Sequence, residues 1–208
     1  MKLYDAMTPN SLRVNVFLAE KGIDLPRQPI DVRGGGTRTP AFLAINSLGE
    51  LPVLELDDGR ILTESVAICR YFEALHPEPS LMGKGAYEQA HIEMWNRRVE
   101  QQLFWTIGGV ARHTFAFFAD KIEQLPAYAE TQARLFDKNW AWFDKELSDG
   151  RPFVTGEAFS IADITGMAAL LVCDFSEKTL PADLKHAKRW EETMRARDSF
   201  AASRAKAA

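Results

Sequence analysis

The sequence has little cysteine. Cys69 and Cys173 are the only two, far apart, with no CxxC pair and no cluster of Cys and His at metal spacing. That excludes a disulfide framework, and the expectation is that the protein holds no metal. Long hydrophobic runs are missing too. The longest apolar stretch, around 167–173, is far short of the roughly 20 residues that cross a bilayer. The opening stretch MKLYDAMTPN has no apolar core of the kind a secretory signal carries, so the expected compartment is the cytoplasm. Positive charge is not in excess either. Lys and Arg number 25 against 29 Asp and Glu, a formal net charge of −4, which argues against nucleic acid or an anionic membrane as partner. What is present is ordinary for a folded globular chain: 46% hydrophobic and 26% charged residues. A length of 208 residues suffices for one large domain or two small ones.

The first 77 residues mix strand and helix signals. A short strand at 2–4 is followed by a helix over 11–21, with Leu12, Val16 and Ala19 at helical spacing. Val14, Phe17 and Leu18 widen its apolar face, Asn10 or Ser11 is the expected cap, and Gly22 the stop. A second strand over 28–32, a Gly-rich loop at 33–37 and a short helix over 40–45 come next. Two apolar runs around Asp57-Asp58-Gly59 predict a β-hairpin. Ser65 reads as the cap of a helix over 66–75.

The prolines and glycines of 78–86 read as a linker. From 87 to 208 the pattern is helical. A long helix over 87–119, bent at Gly108-Gly109, is followed by helices over 126–147, 164–173 and 184–197, with a frayed tail over 201–208. Ser160-Ile161-Ala162-Asp163 resembles a capping box that opens the most apolar of these helices. The fold class is therefore α+β, with a mixed first domain and an all-α second one.

Three short stretches carry chemistry. Pro52 opens an apolar strand, where a proline's missing N–H does no harm. A cis Leu51–Pro52 bond would expose the Leu51 backbone groups to an extended peptide, whereas a trans bond would make it an ordinary strand start. Glu64-Ser65 stands at a helix N-terminus. The Ser65 hydroxyl, its N–H and the helix dipole favour a carboxylate while Glu64 suits an ammonium, so an α-amino acid head group fits; a plain helix cap fits as well. Thr8-Pro9-Asn10-Ser11 joins the first strand to the first helix. Hydroxyls, an amide and a helix N-terminus converge there, which can lower the pKa of a nearby thiol or simply cap the helix.

With these residues in view, the sequence resembles the glutathione transferase superfamily over nearly its whole length. Asn46-Ser47-Leu48-Gly49-Glu50-Leu51-Pro52-Val53-Leu54 resembles the family's N-P-x-G-x-V-P-x-L stretch, and Leu62-Thr63-Glu64-Ser65-Val66-Ala67-Ile68 resembles L-x-E-S-x-A-I. Phe159-Ser160-Ile161-Ala162-Asp163 resembles the F-S-x-A-D cap of its helical domain. The resemblance implies a thioredoxin-like domain with a cis Pro52 over 1–77, then an all-helical domain over 87–208 bearing the surface for an electrophile. It implies glutathione as co-substrate, with Leu51 and Pro52 pairing the cysteinyl backbone, Glu64 and Ser65 holding the γ-glutamyl end, and Arg38, with Thr37, reaching the glycyl carboxylate. It also implies a homodimer and a small apolar electrophile, with detoxification as the setting. No Tyr or Cys stands at the usual catalytic place, so Thr8, Asn10 and Ser11 become the candidate activators of the thiol, beside a water near His113. Thr8-Pro9-Asn10 resembles the T-P-N of nu-type enzymes, which brings glutathione-dependent disulfide reduction in as an alternative; a binding protein without turnover is the third.

Overall fold

The computed structural model describes residues 1–205, so 206–208 of the expected tail lie outside the described residues. The chain divides into two compact units, Met1–Leu81 joined by the segment from Asp198, and Met82–Arg197.

The first unit is a βαβ-ββα arrangement. Strand β1 (Lys2–Asp5) leads into helix α1 (Pro9–Glu20) and returns in strand β2 (Arg27–Pro29), parallel to β1 with Leu3 opposite Arg27. A 3₁₀ turn (Gly36–Arg38) and helix α2 (Pro40–Ile45) then carry the chain to the other side of β1. There β3 (Val53–Glu55) and β4 (Ile61–Leu62) form the hairpin read from Asp-Gly, and Gly59 takes the φ of +83° that the turn demands. The sheet order is β2-β1-β3-β4. Pro29 sits on the edge strand, where no partner asks for its missing N–H.

Helix α3 (Ser65–Leu75) packs against α1. Its end is tied down by Lys21, whose ammonium donates to the carbonyls of His76 and Pro79 at 2.7 Å each and pairs with Glu73 at 2.7 Å. The tail departs from expectation. Helix α9 (Asp198–Ala205) is regular and packs on α1 within this same unit, because Phe200 is fully buried and the Ser199 hydroxyl reaches Glu20. Burying one phenylalanine is worth about 1.5–3 kcal/mol, enough to hold a short terminal helix in place.

Among the described residues the second unit is helical but for one isolated bridge, Phe153 with Gly156. Its helices are α4 (Gly85–Val99), α5 (Trp105–Thr114), α6 (Pro126–Glu146), α7 (Ile161–Phe175) and α8 (Lys185–Arg195). The long helix expected over 87–119 is interrupted, though not at Gly108-Gly109. A π-helical segment at Glu100–Phe104 separates α4 from α5. An inserted residue of this kind displaces a backbone carbonyl, and that of Gln102 accepts from Asn139 Nδ2 at 2.8 Å and Thr106 Oγ1 at 2.6 Å. Helix α7 is buried from Ile161 to Cys173, as its apolar sequence requires.

Ser160 caps α7 in a true capping box with Asp163. Asp163 also accepts from the Trp190 indole at 2.9 Å and so pins that ring over Gly166. A Cβ at 166 would stand 2.4 Å from Trp190 Cη2. Gly166→Ala is therefore expected to destabilise the protein by about 2–3 kcal/mol, visible as a lowered Tm, although alanine is ordinarily the better helix former. An unchanged Tm would mean that Trp190 yields.

Candidate functional site

The first unit brings its three chemical stretches to the ends of β1, α1, β3 and α3. Thr8 is the N-cap of α1: its Oγ1 accepts the Ser11 N–H at 3.2 Å and donates to Ser11 Oγ at 3.0 Å. Asn10 lies in the first turn and is partly exposed. Ser11 is fully buried. It stands behind Thr8 and orients that hydroxyl, while Thr8 and Asn10 keep exposed surface.

The Leu51–Pro52 bond is cis. The preceding turn is built by Asn46, whose side chain donates to the Glu50 carbonyl at 2.9 Å and accepts the Leu48 N–H at 3.2 Å. Gly49 has φ +62°, and a Cβ there would lie 2.6 Å from the Arg38 guanidinium. Arg38 is exposed and donates to the Leu48 carbonyl at 2.9 Å. It thus braces the turn into Leu51 as well as pointing a cation along it. The Leu51 side chain seals into a cluster with Tyr4, Phe42 and Val53, which fixes its backbone at the head of β3. Tyr4 itself is committed to Glu55 at 2.6 Å.

Ser65 does not cap α3. The N-cap is Glu64, exposed, with φ +65° and ψ +115°, a conformation costly for a non-glycine residue. Glu64 is followed by Ser65 as the first helical residue, its N–H among the donors that a helix start leaves without an intrahelical partner. Ser65 is 4% exposed, and its hydroxyl accepts from Arg13 NH1 at 2.9 Å while donating to Asn10 Oδ1 at 3.4 Å. The helix N-termini of α1 and α3 are therefore joined by a side-chain chain Arg13–Ser65–Asn10.

Sequence reading missed Arg13. The signal was there: one cation within a run where Leu12, Val14, Val16 and Phe17 are all buried. A charge on an all-buried helix turn needs a buried polar partner.

Other candidates fall elsewhere. His113 belongs to the second unit, where its Nδ1 accepts the Leu125 N–H at 3.1 Å ahead of α6 and its ring meets Tyr128 at 4.8 Å. With Nδ1 accepting, the other ring nitrogen, Nε2, is the one left to donate. Both cysteines are buried, and burial pushes each thiol up to about 12, so neither is a thiolate at neutral pH. No group of three His, Cys, Asp or Glu that could hold a metal occurs among the described residues. Nor is any helix among them long and apolar enough to cross a membrane.

Comparison with known proteins agrees with this geometry. The N-terminal domain profile of glutathione S-transferase matches residues 8–75, and the C-terminal domain profile matches 109–198. Glutathione S-transferase 2 of Saccharomyces cerevisiae is 35% identical over 205 residues, covering 96% of this chain and 87% of that protein. The crystal structure of Gtt2 from the same yeast superimposes with a TM-score of 0.91 at 32% identity, covering 98% and 100% of the two chains. A glutathione S-transferase domain-containing protein from Marinobacter aquaeolei gives a TM-score of 0.90 at 35% identity, covering 96% and 100%. A four-stranded thioredoxin-like unit, a helical unit and both profile matches place this chain in the glutathione S-transferase family.

Proposed function

We propose that the protein conjugates glutathione to small apolar electrophiles. The observation that carries this is the meeting of two helix N-termini at Asn10 and Ser65 in the unit that also holds the cis Leu51–Pro52 bond. In this reading Leu51 pairs with the cysteinyl backbone, Ser65 and Glu64 hold the γ-glutamyl head group, and Arg38 faces the glycyl carboxylate. The sulfur then lies over the start of α1. The Asn10 amide donates to it, as does Thr8 Oγ1 once its proton turns from Ser11 Oγ to the sulfur; the helix dipole favours its negative charge, and the thiol proton leaves to water. The thiolate attacks an electrophilic carbon; as the S–C bond forms, the carbon's leaving group departs with its electron pair, or, in an addition, the pair of the broken π bond takes a proton from water. Holding the nucleophile in place contributes alongside activating it. A cytoplasmic homodimer is the assembly the family resemblance favours.

Asn10→Ala and Thr8→Ala are each expected to lower kcat about tenfold at neutral pH, the worth of one hydrogen bond to a charged acceptor. The kcat–pH curve should move toward higher pH, with the KM for glutathione little changed. An unaltered curve in both variants would remove these residues from the activation step.

A second reading, glutathione-dependent disulfide reduction, is favoured by Asn10 at the head of α1. With Cys69 and Cys173 buried and their thiols pushed up to about 12, the second thiol must come from another glutathione. The first glutathione attacks the substrate disulfide, expelling one half as a thiol and leaving a mixed disulfide; the second attacks the mixed disulfide, expelling the other half as a thiol and forming glutathione disulfide. Turnover of hydroxyethyl disulfide against that of an aryl halide separates the two activities.

A further inference from the structure

We propose that Arg13 is a positioning residue for glutathione: its buried guanidinium presets the Ser65 hydroxyl as a donor and couples the grip on the γ-glutamyl carboxylate to the Asn10 amide. The inference rests on the glutathione site proposed above.

A serine hydroxyl has one proton and two lone pairs, whereas an arginine only donates and stays charged. Arg13 is 2% exposed and donates to Ser65 Oγ at 2.9 Å. The Ser65 proton therefore cannot point back at Arg13 and is aimed at Asn10 Oδ1. That second bond is long, at 3.4 Å against an ordinary O–H···O near 2.7–2.8 Å. Asn10 is thus a weak acceptor waiting to be displaced. A carboxylate arriving at the start of α3 accepts the same proton in a shorter, charge-assisted bond. The Asn10 side chain, released from Ser65, is then free to turn its NH₂ toward the sulfur. In this way filling the γ-glutamyl end prepares the group that meets the thiol.

The test compares Arg13→Met, Ser65→Ala and the double variant, each on glutathione and on an analogue whose γ-glutamyl residue lacks its α-carboxylate (4-aminobutyryl-cysteinylglycine). Arg13→Met should raise the KM for glutathione about tenfold, and the double variant should match Ser65→Ala alone, because the two act through one hydroxyl. On the analogue the Arg13→Met penalty should vanish, since there is no carboxylate to take the Ser65 proton. Arg13→Lys keeps the charge and one donor, and should recover most of the KM. If the methionine variant does not fold, the lysine variant carries the same comparison: a KM raised a fewfold on glutathione and unchanged on the analogue. Equal penalties on both substrates, or multiplying effects in the double variant, would overturn the role of Arg13. A Ser65→Ala protein with unaltered KM would instead overturn the site itself.

Discussion

Ser65→Ala is expected to raise the KM for glutathione roughly ten- to hundredfold while kcat at saturation stays within about threefold of the parent. The hydroxyl is held at the first turn of α3 and fixed as a donor by Arg13, so its bond to a carboxylate carries little reorganisation cost. Bonds to charged groups are worth about 1.5–3 kcal/mol, and each 1.4 kcal/mol is a tenfold change in affinity. In the proposed site the interaction is made equally before and during bond formation, because there the γ-glutamyl end lies away from the reacting sulfur. Removing it therefore weakens binding and leaves the chemical step alone. Alanine keeps the helix start intact, since Ser65 is the first helical residue and Glu64 holds the cap position. Steady-state rates with glutathione varied at saturating electrophile give the split. A fall in kcat with constant KM would place the serine at the sulfur instead.

Much of this arrangement was legible because it rests on local rules. Asp57-Asp58-Gly59 states its own turn, and Ser160 with Asp163 states its own cap, since both depend on a few adjacent residues. The apolar run 161–173 announces burial whatever its neighbours are. What was not legible depends on partners distant in sequence. Ser65 looks like a cap from its neighbours; it is not one because Arg13, 52 positions away, holds its hydroxyl. The strained φ of Glu64 leaves no compositional trace, as glutamate is a residue that sequence rules keep out of that region. The π segment at Glu100–Phe104 drew attention to Gly108-Gly109 instead, for glycine is the only local signal of an interrupted helix, while the acceptor role of Gln102 is settled by Asn139 on α6. A frayed tail over 201–208 is the ordinary expectation for a chain end; the burial of Phe200 carries the helix on to Ala205 instead. The candidate residues were thus visible as motifs, and the hydrogen bonds that connect them were not.

Replacing Asp163 with alanine is expected to cost about 3–5 kcal/mol at neutral pH, the largest stability change among these variants. The Asp163 carboxylate is fully buried and accepts from the Val154 N–H at 2.8 Å, the Ser160 N–H at 3.1 Å, the Ser160 hydroxyl at 3.2 Å and the Trp190 indole at 2.9 Å. Alanine strands two backbone donors and the indole in an apolar interior, at about 1–3 kcal/mol each, offset in part by relief of a buried charge. It also loosens Trp190, which the aromatic rings of Trp140 and Phe143 surround. The loss should depend on pH in a definite direction. Burial raises the Asp163 carboxyl to about 6 although the donors pull it down, while in the unfolded chain it titrates near 3.8. The folded state therefore holds a proton that the unfolded state has released between these two values. The stabilisation linked to that proton is complete below about pH 3.8 and lost as the pH rises through about 6. From about pH 7 to about pH 5 the parent should gain about 1.4 kcal/mol relative to the alanine variant, which has no such group. Urea denaturation of both proteins across that range measures the gap directly. A gap that narrows on acidification would mean that the donors, and not burial, dominate the carboxyl.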